Sequence, residues 1–194
     1  MEKKLPTVLA QIEKEWGIRG SVRLMFQDEA RFGRISGSKR CWCPEPFRPV
    51  CPAIVCQEYT YAYGAVSVPS GQFDSLILPQ TDTLCMQIFL DEISSRYPKD
   101  RIVMIVDGAG WHKSNSLAIP KNMKLLFLPS YSPNLNPVEN IWEELREKGF
   151  DNKVFASMDS LENQLVYELK RLEDHPEITG PIVAWPWIIN ALLI

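Results

Sequence analysis

Along the first helical stretch, Leu5, Val8, Leu9, Ile12 and Trp16 recur at helical spacing, and Gly17 ends the pattern. Ser21 to Phe26 (SVRLMF) has the composition of a strand and closes at Gln27-Asp28-Glu29. Cys41 to Pro52 carries prolines at 44, 46, 49 and 52, so a loop is expected there. Two or three strands follow between Ala53 and Leu78 (AIVCQ, YTYAYGAVSV and QFDSLIL), the last two joined by a turn at Pro69-Ser70-Gly71.

Asp82 is placed to cap a helix through Tyr97, with Leu84, Ile88, Leu90, Ile93 and Tyr97 on its buried side. Arg101 to Val106 (RIVMIV) is the nearly continuous apolar run of a strand buried on both faces, and it stops at Asp107. Met123 to Leu128 predicts a short strand closed by Pro129. Asn136-Pro137 opens a helix, and a last helix covers Met158 to Leu172. Strands first, then helix–strand–strand–helix–helix, predict an α/β fold: a mixed sheet of about five strands flanked by helices.

At 194 residues, with 45% hydrophobic and 23% charged positions, the chain suits one folded domain and excludes disordered or collagen-like classes. No apolar run reaches the roughly 18 residues of a membrane span. The N-terminus is charged and lacks the apolar centre of a signal peptide, so a cytoplasmic protein with no membrane partner is expected. A net charge of −3 argues against a dedicated basic nucleic-acid module. It leaves room for an enzyme with a local basic surface and clustered carboxylates. Cys41, Cys43, Cys51 and Cys56 lie close together, but their spacing lacks the close pairs of a zinc ribbon, and free thiols are expected.

Three carboxylates fall at the ends of predicted elements. Asp28 ends the first strand, Asp107 ends RIVMIV, and Glu139 lies in the first turn of the helix opening at Pro137. Carboxylates leaving neighbouring strands can converge at one sheet edge, where a hard cation such as Mg²⁺ takes oxygen ligands. Each also has an ordinary explanation: a strand-end carboxylate, a turn aspartate before Gly108, and a capping box pairing Asn136 with Glu139. His112 is a supporting candidate, either contacting a phosphate or metal-bound water, or packed beside Trp111. Glu29 either orients Asp28 or faces solvent. Arg31, Arg34, Lys39, Arg40 and Arg48, interleaved with Phe32, Trp42 and Phe47, are candidates for tracking DNA phosphates and stacking bases.

The strings FQDEARFG (Phe26–Gly33), VDGAGWHKS (Val106–Ser114) and LPSYSPNLNPVENIWEELR (Leu128–Arg146) resemble the catalytic blocks of insertion-sequence transposases of the Tc/mariner-like superfamily, the DDE superfamily endonucleases. The resemblance runs from about Ser21 to Leu172. It implies an RNase H-like fold with Asp28, Asp107 and Glu139 as the catalytic and metal-holding carboxylates, and two Mg²⁺ or Mn²⁺ ions as cofactors. The implied reaction is cleavage of a DNA strand at a transposon end and attack of the freed 3′-hydroxyl on target DNA. Ser130 stands where relatives commonly have proline, and the spacing from Asp107 to Glu139 is slightly short.

The expected organisation is a linker helix over 1–20, the catalytic domain over 21–175 and an apolar tail over 176–194 that completes the core or docks on another subunit. Expected partners are transposon-end and target DNA, a separate or upstream helix-turn-helix recognition module, and a second copy of the chain. The rival readings are a nuclease of the same fold that cuts without joining, and a silent DNA- or partner-binding remnant.

Overall fold

The computed structural model describes residues 5–17, 22–35, 42–47, 57–129 and 132–192. Within them strands and helices follow the predicted order as far as the helix Met158–Asp174, two further helices come after it, and the strand expected at AIVCQ lies outside the described residues but for Gln57. The helix α1 spans Leu5–Trp16, and the sheet strands are β1 (Val22–Gly33), β2 (Tyr59–Val68), β3 (Phe73–Leu78), β4 (Arg101–Val106) and β5 (Met123–Phe127). Helix α2 (Thr83–Arg96) joins β3 to β4, and α3 (Val138–Gly149), α4 (Met158–Asp174), α5 (Pro176–Val183) and α6 (Pro186–Leu192) follow β5. The sheet order is β3-β2-β1-β4-β5, with β1, β2 and β3 antiparallel and β4 and β5 parallel to β1.

Alternation along the central strands divides the core in two. Leu24, Phe26, Ala30 and Phe32 of β1 join Trp142 and Leu145 of α3 and the buried residues of α4 on one face. Met25 of β1 and Ile102, Met104 and Val106 of β4 join Phe89, Leu90 and Ile93 of α2 on the other. Asp82 caps α2 as expected, accepting from the Cys85 N–H. The buried stripe of α2 differs from the expected one: it is Cys85, Met86, Phe89, Leu90 and Ile93, while Leu84 is 66% and Ile88 45% exposed. Apolar residues occur on both sides of this helix, so periodicity alone did not single out the face.

Strand β1 does not stop at Phe26. It runs through the polar triplet Gln27-Asp28-Glu29 because β2 stays paired with it as far as Gly33 opposite Tyr59. Burial of Ala30 and Phe32 around exposed Arg31 carries the strand alternation onward. Pairing with β4, however, ends at Phe26 opposite Ile105. Asp28 therefore sits in mid-strand, just beyond the point where β1 loses its parallel neighbour.

The C-terminal apolar run completes the core. Pro176 and Pro186 open α5 and α6, positions where a missing N–H costs nothing. Val183 and Ile188 are fully buried, and the Trp187 ring meets Phe26 edge-on at 6.2 Å. Gly71, at φ +73°, brings the β2–β3 turn against Gly180, and the Thr179 hydroxyl donates to the Gly71 carbonyl. Among the described cysteines, Cys43 and Cys85 are free thiols; Cys41, Cys51 and Cys56 lie outside the described residues. No helix among the described residues is long and apolar enough to cross a membrane.

Gly64 marks a close contact between sheet and helix. A Cβ there would lie 2.6 Å from the Trp142 ring and 2.8 Å from Phe73. Gly64→Ala is expected to cost about 1–3 kcal/mol through overpacking, read as a lowered urea midpoint; an unchanged midpoint would show that the ring yields freely.

Candidate active site

Asp28 points to the face where α3 packs, opposite Gly64 on β2. The space left by Gly64 admits the Trp142 indole, whose Nε1–H donates to Asp28 Oδ2 at 2.9 Å. Although part of the residue reaches solvent, surrounding protein disfavours its charge. Burial, then the charges of Glu139 and Glu29, push its pKa up to about 8, against the opposing bond from Trp142.

Helix α3 is held to β1 by a buried asparagine. Asn136 Oδ1 accepts from the Val138 N–H at 3.3 Å, and Nδ2 donates to the Gln27 carbonyl at 3.0 Å. Gln27 lies where the β4 ladder has just ended. The expected capping box does not form: the helix is capped at Pro137, the Asn136 side chain takes the Val138 N–H rather than that of Glu139, and the Glu139 carboxylate makes no hydrogen bond among the described residues. Burial foremost, then Glu143 and Asp107, raise its pKa, with Arg146 opposing. Trp142 lies three residues after Glu139 and thus on the same side of the helix. Trp142 is also part of the core, and that spacing is the signal in the sequence for its second role.

Asp107 leaves β4, and the 3₁₀ turn Gly110–Lys113 folds His112 beneath it. Asp107 Oδ1 accepts from the Ala109 N–H at 2.9 Å and lies 2.7 Å from His112 Nδ1. The bond from His112 is the main cause holding the Asp107 pKa below the usual carboxylate range. The His112 ring is fully buried, and its Nε2 lies 2.9 Å from Glu29 Oε1. Burial alone would lower the imidazole pKa, but the bonds to Asp107 and Glu29 outweigh it and raise it to about 9. His112 is thus packed away from the surface, with both nitrogens taken by protein. Glu29 corrects the other expectation: successive β1 residues face opposite sides, so it turns away from Asp28 and meets His112 and the Trp111 Nε1–H.

Glu139 is the shared neighbour of the other two carboxylates: its charge raises the Asp28 pKa, and the charge of Asp107 raises its own. The donor set is all oxygen, which fits a hard divalent cation. Asp28 and Glu139 are both penalised for carrying charge, a cost that a cation relieves. Among the described residues no three His, Cys, Asp or Glu side chains already stand close enough to hold one ion, so binding requires the carboxylates to draw in.

The basic candidates separate. Arg31 is exposed, with its guanidinium 5.2 Å from the Tyr59 ring centre. Arg34 is occupied by Glu58 and by the Phe155 and Ala156 carbonyls, tying the end of β1 to the segment before α4 rather than standing open to phosphate. Lys39, Arg40 and Arg48 lie outside the described residues. Phe32 is buried against Trp142 and Phe150, so it is core and not a stacking platform, whereas Trp42 and Phe47 are exposed.

Residues 23–162 match the family described as DDE superfamily endonuclease. A protein of Sinorhizobium fredii (strain NBRC 101917 / NGR234), "Uncharacterized protein y4pE/y4sA", is 38% identical over 119 residues, covering 61% of this chain and 88% of the relative. Among solved structures, the Mos1 transposase paired-end complex with left transposon end superposes with a TM-score of 0.58 at 15% identity, covering 93% of this chain and 60% of that one. The Mos1 mariner paired end complex with Mn gives 0.58 at 15% identity, covering 95% and 62%. The chain thus spans about three fifths of the Mos1 chains it matches. At that identity the likeness is one of fold, and the sheet with its flanking helices is RNase H-like.

The raised Asp28 pKa has a consequence for stability. Between the free-aspartate value of about 3.9 and about 8, the folded chain keeps a proton that the unfolded chain releases. Without metal, this group's contribution to stability therefore falls as pH rises through that window. The His112 contribution is complete below about 6.5 and is lost as pH rises through about 9, while that of Asp107 is lost only in acid below about 4. Urea unfolding in chelator at pH 4.5 and 6 is expected to show a decline that Asp28→Asn makes shallower; parallel profiles would contradict the assignment.

Proposed function

The chain belongs to the DDE superfamily endonucleases, and from that membership we propose that it is the catalytic part of a transposase. In this reading Asp28, Asp107 and Glu139 hold two Mg²⁺ or Mn²⁺ ions, and the reaction is DNA strand cleavage followed by transfer of the 3′-hydroxyl to target DNA. The observation that carries it is that α3, bonded to β1 through Asn136 and Trp142, sets Glu139 within electrostatic reach of both Asp28 and Asp107. The solved Mos1 complexes with Mn and with Mg support the choice of cation.

Such ions supply activation of the attacking oxygen and stabilisation of the leaving oxygen in an in-line displacement. The chain's own part is to supply and orient the oxygens. Trp142 fixes one oxygen of Asp28, and Asn136 holds α3 so that Glu139 stays near it. On Asp28 a bound cation would favour the ionised carboxylate over the protonated form that burial favours. Exposed Arg31 is assigned to the DNA backbone, with Lys39, Arg40 and Arg48 continuing the same basic stretch. We assign the catalytic unit to residues 21–175, and the reading of transposon ends to a helix-turn-helix module, separate or upstream. A second copy of the chain is the proposed partner in the DNA complex.

With Mn²⁺, the chain is expected to nick supercoiled plasmid and to join a labelled 3′-hydroxyl oligonucleotide to it. Asp28→Asn, Asp107→Asn and Glu139→Gln, still folded by circular dichroism, are expected to fall to the level of chelator-treated enzyme. Nicking that survives Asp107→Asn would overturn the site, and nicking without joining would point to a nuclease. No nicking by the wild-type chain, even with a recognition module supplied, would identify a silent remnant.

A further inference from the structure

Glu29 and Asp28 are adjacent on β1 and point to opposite faces of the sheet, yet both lead to the candidate metal carboxylates. Asp28 goes directly to the α3 side. Glu29, its side chain 6% exposed, goes to the α2 side and ends on His112 Nε2 at 2.9 Å, with the Trp111 indole N–H adding a contact at 3.3 Å. The fully buried His112 ring then reaches Asp107 Oδ1 at 2.7 Å. Both of its partners are carboxylate oxygens.

The bonds on Asp107 are unevenly divided. Oδ1 takes two donors, the Ala109 N–H and His112 Nδ1–H, while Oδ2 takes none among the described residues. The Asp107 side chain is 50% exposed. One oxygen is anchored and the other is left open.

We propose that Glu29 is a positioning residue for Asp107, acting through His112 so that Asp107 presents Oδ2 alone to a divalent cation. This rests on the reading of Asp107 as a metal-holding carboxylate. Two consequences distinguish it from support of the loop alone. His112 has no free nitrogen and no exposed surface with which to touch DNA, so its role runs through Asp107. Strand β1 becomes the reference for two carboxylates, one carried directly and one held through the Glu29–His112 pair. Partners that orient a ligand in this way typically change metal affinity by 10–100-fold when removed.

The test is Mn²⁺ binding to the full chain without DNA, measured from the electron paramagnetic resonance signal of free Mn²⁺, with folding followed by circular dichroism. Glu29→Ala is expected to weaken Mn²⁺ binding by about 10–100-fold, and Glu29→Gln, which keeps an acceptor for His112, to recover part of the loss. In Glu29→Ala/Asp107→Asn the two losses are expected not to add, because one residue acts through the other. In Glu29→Ala/Asp28→Asn they are expected to add. Should Glu29→Ala fail to fold, His112→Gln, whose amide cannot bridge both carboxylates, is expected to show a loss in the same range. Wild-type affinity in folded Glu29→Ala or His112→Gln, or full additivity with Asp107→Asn, would overturn the proposal. Wild-type affinity in Asp107→Asn would instead overturn the metal reading beneath it, and the proposal with it.

Discussion

The site depends on how α3 is fastened to β1. That helix carries Glu139, and nothing in its own sequence determines where the carboxylate lies relative to Asp28. Two hydrogen bonds do: Asn136 Nδ2 to the Gln27 carbonyl, and Trp142 Nε1 to Asp28 Oδ2. The first uses a backbone acceptor at the place where β1 has outrun β4. The second needs the gap at Gly64, without which the indole would strike the sheet. Packing holds the same pose from the other side, since Trp142 meets Phe32 and Phe73 edge-on and Val138, Ile141 and Leu145 are fully buried. A helix held at both its first turn and its middle has little freedom to tilt Glu139 away.

This fastening has an electrostatic cost. It brings Glu139 near Asp28 and within the influence of Asp107, and among the described residues none of the three obtains a lysine or arginine hydrogen bond of its own. The unevenness is informative. Asp107 is relieved by His112 and its pKa falls, whereas Asp28 and Glu139 rise because burial dominates and like charges add to it. Purely structural carboxylates in this chain are treated differently. Asp74 is satisfied by Arg96 and Tyr97, and Asp100 by Arg23. The contrast separates acids that support the fold from acids held in an unfavourable state.

Much of this was legible in the sequence, and the failures have physical causes. The α1 stripe ended by Gly17, and RIVMIV ending at Asp107, were read at the observed boundaries because periodicity and burial agree there. The length of β1 was not, since three polar residues in a row resemble a strand end, and only pairing with β2 carries the strand through them. The prolines at 176, 181 and 186 hid α5 and α6, although two of them open a helix. The carboxylate triad was found from element ends and local strings. Of their partners, His112 and Glu29 were named but not joined to each other, and Trp142 was missed, because these side chains meet across elements distant in the chain. Strand parity alone separates Glu29 from Asp28, and helix spacing alone puts Trp142 beside Glu139; both signals were available but slight.

The central claim is that Asp28, Asp107 and Glu139 form a divalent-metal site. Its most direct test is anomalous diffraction at the manganese edge from crystals of the chain grown in Mn²⁺. The account predicts manganese at Asp28, Asp107 and Glu139, with carboxylate oxygens drawn in to roughly 2.0–2.2 Å, the range for small hard cations. Manganese bound elsewhere, or a site that stays empty at saturating Mn²⁺, would contradict it.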